Sequence, residues 1–311
     1  MNNYSKALYE TLLEKDVIRY TFLDGREAIF DQDKLITSNT DVETNWIDAD
    51  IKLTIKQKPE IVIFGSGHVS KALYDIATMQ SIPVTVVDER EEVCSEERFP
   101  NAKRFTNMPY PELLKLSFSE NRPYYVIMTH GHSYDNQCLR YTLRHNSSYI
   151  GMIGSKGKVK ATFDDLRKDG FTDEELSRVH SPIGLKIGAV TPEEIAISIM
   201  AEIISVFRSD KNLVCLSSEY LKTLSTHKGV IARIIDKKGS APRSIGSEML
   251  VTKDNTYGTI GGGAVELAAT EEAKSMLDSS INSKVIEYNL SAKGDLKMIC
   301  GGDIKVLFLK N

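Results

Sequence analysis

A chain of 311 residues with 41% hydrophobic side chains is long enough to bury a substantial core, and its length suggests two domains. The formal net charge of −4, with lysine and arginine spread and no long basic run, excludes a nucleic-acid footprint. No apolar run approaches the ~20 residues that span a bilayer, and no basic segment precedes an apolar stretch near the first residue, so no membrane association and a cytoplasmic location are expected.

In chain order, residues 1–55 read as a polar N-terminal extension with one hairpin, VIRYTFLDGREAIFD, turning at Asp24-Gly25. From 56 to 208 apolar runs of strand length alternate with helical stretches. IVIFG (61–65), VTVVD (84–88), YYVIMTH (124–130) and YIGMIG (149–154) are continuously apolar, as strands of a buried parallel sheet are. KALYDIATMQ and YPELLKLSF read as helices between them. Thr172 with Glu175 has the spacing of a capping box, and Thr191-Pro192 with Glu194 opens a long amphipathic helix. Strict alternation of strand and helix predicts an α/β fold, a Rossmann-like doubly wound parallel sheet. Periodicity weakens over 209–226, which reads as a linker. From 227 to 311 the runs GVIARIID, SEMLVTKD, VIEYNL and IKVLFLK, with one helix, AVELAATEEAKSML, predict a smaller α+β domain.

The four cysteines, Cys94, Cys138, Cys215 and Cys300, form no C-x-x-C pair and read as reduced thiols rather than a disulfide framework or a zinc site.

The first turn of the predicted sheet, GSGHVS, places Gly65 and Gly67 at the first two glycines of the dinucleotide fingerprint, with His68 after them and Ser70 at the third. Such a turn receives a pyrophosphate at a helix N-terminus, and Asp88, ending the next strand, stands where a carboxylate meets a ribose hydroxyl. THGHSYD puts His130, His132 and Asp135 beyond a strand. Without an evident third ligand, hydrogen bonding in the loop is favoured there over a metal site. GSKGK, with Ser155, Lys156 and Lys158, suits either an anion or a solvated basic first turn.

In the second half Gly261, Gly262 and Gly263 run into a helix N-terminus, Arg243 extends from KKGSAPRSIG, and Cys300-Gly301 places a thiol beside another bare turn. Taken singly, Cys300 reads as a small buried hydrophobe and Glu266 as a complement to the helix dipole.

Together these stretches resemble a known family. GSAPRSIGSEMLV, GTIGGGAVE and MICGGDIKV are similar to the signature stretches of the XdhC/CoxI family, the maturation factors of molybdenum hydroxylases such as xanthine dehydrogenase. FGSGHVSKAL, VTVVDER, YIGMIGSK and HSPIGLKIGAVTPEEIAISIMAEII resemble its Rossmann domain, so the resemblance runs from about residue 56 to 308. It implies a chaperone, more a carrier than an enzyme with a turnover. Such a carrier binds the molybdenum cofactor (molybdopterin, in mono- or dinucleotide form), protects it while a cysteine desulfurase installs its sulfur, and delivers it to the apo-hydroxylase. It also implies a homodimer, a cofactor site at Arg243, Gly261 to Gly263, Glu266, Cys300 and Gly301, and contact of Cys300 with molybdenum or its sulfur. The pyrophosphate of a dinucleotide cofactor, or NAD, would then lie at Gly65, Gly67, His68 and Asp88. Two features depart from the family pattern: the domains stand in reversed order, and Ala264 follows the triple glycine where many members carry cysteine. On GSGHVS and Asp88 alone the alternatives are an NAD(P)-dependent oxidoreductase and a nucleotide-sensing regulatory protein.

Overall fold

The computed structural model describes residues 3–119, 122–210, 212–239, 243–290 and 302–311. The chain divides into two compact units, Pro59–Ser209 and a second one built from both ends, Met1–Lys58 with Asp210–Asn311.

The unit built from both ends starts with helix α1 (Asn3–Glu14), followed by strands β1 (Val17–Thr21), β2 (Glu27–Asp31), β3 (Lys34–Ser38) and β4 (Ile51–Gln57). The expected hairpin is β1–β2: Gly25 turns it at φ +94°, and the Asp24 carboxylate accepts the Arg26 N–H at 3.0 Å. The expected extension, however, is not a separate segment. Tyr4, Leu8 and Leu12, four residues apart on α1, bury one helical face against Val17, Ile29 and Ile55.

In the Pro59–Ser209 unit the elements are β5 (Ile61–Phe64), α2 (His68–Met79), β6 (Val84–Val87), β7 (Lys103–Phe105), α3 (Tyr110–Leu113), β8 (Tyr124–Ile127), α4 (His132–Arg144), β9 (Tyr149–Met152), α5 (Lys156–Lys168), α6 (Asp173–Ser177), β10 (Val179–His180) and α7 (Pro192–Phe207). Six parallel strands lie in the order β10-β9-β8-β5-β6-β7. This is the doubly wound sheet the alternation predicts. Each of the four strands read from sequence is buried along its whole length, because helices cover both faces. The capping boxes at Thr172–Glu175 and Thr191–Glu194 are both formed. From β5 the chain winds outward through β6 and β7, and from β8 it winds the other way, so the strand order reverses between β5 and β8. That reversal opens the crevice where ligands bind in such sheets.

The chain then re-enters the unit built from both ends with β11 (Leu213–Leu216), α8 (Ser218–Thr226), β12 (Val230–Lys238), β13 (Glu248–Val251), β14 (Thr256–Gly258), α9 (Gly263–Leu277), β15 (Ser283–Asn289) and β16 (Asp303–Lys310). The stretch 209–226, expected as a linker, holds β11 and α8 instead. β11 pairs in parallel with β4, completing a sheet ordered β11-β4-β1-β2-β3, and Ser217 caps α8 by accepting the Tyr220 N–H. A second, antiparallel sheet runs β14-β13-β12-β16-β15. Strand β12 serves two cores by alternation: Val230, Ala232 and Ile234 pack with α9, while Ile231 packs with Leu8 and Ile55 of the first sheet's core.

Between these sheets lies a buried ionic cluster. Arg19 on β1 and Arg233 on β12 both donate to Glu248 on β13, at 2.9 and 2.5 Å, and Arg233 also pairs with Glu27 on β2. All four side chains are buried. Burial opposes the charge on Glu248, but the two guanidiniums outweigh it and hold this carboxyl below its usual range.

Candidate functional site

Residues around Gly65 shape the crevice at the reversal point. Gly65 has φ +105°, and a Cβ on it would stand 2.3 Å from the Met128 carbonyl oxygen at the end of β8. No other residue fits there. Gly67 is different: with φ −68° it caps α2 in an ordinary conformation, and a Cβ would meet nothing within 4 Å. Its bareness leaves open space at the first turn of α2, where backbone N–H groups have no helical partner. His68 opens that helix and is exposed, while Ser70 is buried as the third glycine of the fingerprint would be.

Asp88 does not play the part its position predicts. Its Oδ2 accepts the Ser66 N–H at 2.8 Å, the Ser66 hydroxyl at 2.7 Å and Arg90 Nη2 at 2.9 Å; its Oδ1 accepts Arg90 N and Nε, both at 3.0 Å. The carboxylate has no exposed surface. Burial works against its charge, yet the bonds from Arg90 and Ser66 hold the carboxyl below the usual range. With five donors and no access, Asp88 has no room for a ribose hydroxyl. Ser66 and Arg90 are the residues that sequence reading misses here; the only signal is an arginine two places after the strand-end aspartate.

Other groups at this edge of the sheet are also internally matched. Asp135, buried, accepts the Thr129 N–H and hydroxyl at 3.0 and 2.7 Å and pairs with Lys158 at 2.6 Å. That pairing uses Lys158, the second lysine of GSKGK, internally. His130 Nε2 lies 3.5 Å from Glu89, and the His132 side chain lies outside the described residues. Among the described residues no three His, Cys, Asp or Glu side chains are grouped to hold a metal ion.

In the other unit the triple glycine has a structural explanation. Gly261, Gly262 and Gly263 have φ of 131°, 74° and 66°, a succession that residues with a Cβ avoid. This curl turns the N–H groups of Ile260 and Gly262 onto Glu266, at 3.1 and 3.0 Å, and the Thr259 hydroxyl joins them. Partial burial works against the Glu266 charge, but these donors prevail and lower its affinity for a proton. An anion therefore does sit in the glycine turn, and it is the chain's own carboxylate. This corrects the expectation that a ligand takes those N–H groups.

Arg243 is exposed and bonds to no other described residue, while Cys300 and Gly301 lie outside the described residues. The registers Lys238 with Asp303, Arg233 with Glu248, and Met249 with Gly258 put the end of β12, the start of β13 and the end of β14 at one end of the sheet. Arg243, between β12 and β13, and the glycine turn after β14 follow from that end.

Comparison with protein families matches residues 61–203 to the XdhC Rossmann domain and residues 224–289 to the XdhC and CoxI family, together more than half of the chain. The chain belongs to the XdhC and CoxI family. It is 33% identical over 151 residues to a probable xanthine dehydrogenase subunit of Bacillus subtilis (strain 168), covering 48% of this chain and 43% of that protein. Over 92 residues it is 33% identical to the molybdenum cofactor insertion chaperone PaoD of Escherichia coli (strain K12), covering 29% of each. The chain thus spans less than half the length of these curated relatives. A solved structure described as a xanthine dehydrogenase from Bacillus halodurans shares 27% identity, with 66% of this chain and 67% of that one covered and a TM-score of 0.49. Within the XdhC Rossmann region the turn Gly65–His68 and the clamp on Asp88 fall inside the matched residues, as do Arg243 and the glycine turn within the CoxI-type region.

Proposed function

We propose that this protein binds the molybdenum cofactor, shields it while a cysteine desulfurase sulfurates it, and inserts it into an apo molybdenum hydroxylase of the xanthine dehydrogenase type, in the cytoplasm. The observation that carries this reading is the joint match of both XdhC regions on one chain, and likeness to a relative named as a molybdenum cofactor insertion chaperone supports it.

The residues fit such an anionic, planar ligand at two points. A Cβ at Gly262 would meet nothing within 4 Å, so bare peptide faces open space, and Arg243 is exposed and uncommitted among the described residues. They do not fit at a third, because Glu266 already occupies the N–H groups of the turn. Phosphate recognition then falls to Arg243, and contact with the sulfur-rich centre to the Cys300 thiolate. When bound, the cofactor supplies the molybdenum centre that the hydroxylase uses. The chain's own part is to hold it, keep water from it and release it. The turn Gly65–His68 receives the pyrophosphate of a nucleotide.

The reading includes a homodimer. A groove of ≈ 880 Å³ between α2 and α7 exposes Met79, Ile197 and Ile204, and its rim carries both signs, Lys71 and Arg98 with Asp75 and Glu193. Mixed charges around an apolar floor suit a second copy across a twofold axis. Ile197→Asp should sediment as a monomer; an unchanged dimer would remove this surface from the reading.

The functional test is transfer. Protein loaded with cofactor and mixed with apo-hydroxylase should restore hydroxylase activity faster than free cofactor. Equal recovery without the protein refutes the carrier role.

A further inference from the structure

Asp88 and Arg90 together say which nucleotide the Rossmann turn accepts. Where a nucleotide carries a free ribose diol, a strand-end carboxylate must be open to accept its hydroxyl protons. Here that carboxylate is fully covered and saturated by Ser66 and Arg90. What the strand end shows to solvent is the guanidinium: the Arg90 side chain is 34% exposed, and its Nη1 has no partner among the described residues.

We infer that Arg90 reads a phosphoryl group on the ribose of a pyrophosphate-linked nucleotide, and that Asp88 is a positioning residue. The inference rests on the reading that the turn receives a nucleotide's pyrophosphate. The bonds from Asp88 to Arg90 N, Nε and Nη2 fix the guanidinium plane, and those to Ser66 fix the pyrophosphate turn, so one buried carboxylate sets the spacing between the two anion contacts. A planar, always-charged fork with its inner edge anchored leaves its outer edge to meet a phosphate. A diol's hydroxyl oxygens can accept from that edge but carry no charge, and their protons find no acceptor on a guanidinium, so a phosphate is the better match. The ligand is thus a 2′-phosphorylated dinucleotide, a molecule separate from the molybdenum cofactor, so the protein has two ligand sites, one in each unit.

The probes are NADP⁺ and NAD⁺, which differ only in the 2′-phosphate, titrated calorimetrically into the full chain. NADP⁺ should bind at least about tenfold more tightly. Arg90→Ala should erase that preference, read as the ratio of the two affinities, and Arg90→Lys should keep part of it. If Arg90→Ala does not fold, the wild-type comparison alone decides. Equal affinities, or tighter NAD⁺, overturn the role of Arg90 and leave nucleotide binding standing. Binding of neither overturns this inference together with the nucleotide reading of the turn.

Discussion

The Glu266 carboxylate accepts the backbone N–H of Gly262 at 3.0 Å, so the glycine turn closes on a side chain four residues further along its own helix. Glu266→Ala leaves these donors without their anion at the start of α9 and should destabilise the protein by about 1–3 kcal/mol in denaturant unfolding. The pH dependence follows from the lowered folded-state value. The stabilisation is fully present above the unfolded carboxyl value near 4.5 and is lost as pH falls through the lower folded value. Wild type should therefore lose stability relative to Glu266→Gln as pH falls from about 4.5 through that lower value.

The buried pairs of Arg233 join strands far apart in the sequence. Arg233→Met removes the partner of two buried carboxylates, Glu27 and Glu248, and should lower unfolding free energy by about 3–5 kcal/mol. Replacing Arg233, Arg19, Glu27 and Glu248 together by apolar residues of matched volume should restore most of it.

Two glycines of one turn should respond in opposite ways. Gly65→Ala drives a Cβ against the Met128 carbonyl and should cost stability, read as a lower Tm. Gly67→Val adds a side chain to open space at an ordinary φ, so Tm should hold while nucleotide affinity falls. An unchanged affinity in folded Gly67→Val reduces the turn to a scaffold.

Arg243→Ala should weaken cofactor binding by about 1–3 kcal/mol, the range for a charge-assisted hydrogen bond, with unfolding unchanged because the side chain is exposed and unpaired among the described residues. Cys300→Ser should keep pterin content and lose delivery of active cofactor, since the oxygen is a harder ligand than the thiolate. A lower Tm with normal binding would assign either residue to structure.

Much of the Rossmann-like unit was legible because parallel strands buried on both faces leave unbroken apolar runs, and because proline and glutamate mark helix starts at Thr191 and Thr172. Apart from the β1–β2 hairpin, the N-terminal and 209–226 elements were not. Leu213–Leu216 stands between polar stretches with no strand–helix alternation around it, and the large apolar residues of α1's buried face are only Tyr4, Leu8 and Leu12. Their partners are distant in sequence, so nothing local marks them. At the sites, glycine positions were readable but not their partners. Backbone conformation decides that Gly261 to Gly263 wrap Glu266, and a side chain two residues away decides that Asp88 is closed.

Carriage of the molybdenum cofactor by this chain is tested most directly by mass spectrometry of the ligand released from protein expressed where the cofactor is made. The expected ligand is a pterin bearing the dithiolene and phosphate, with molybdenum in near-equal amount by elemental analysis. Protein that emerges from such cells free of pterin and molybdenum, or filled only with a nucleotide, would contradict the carrier role.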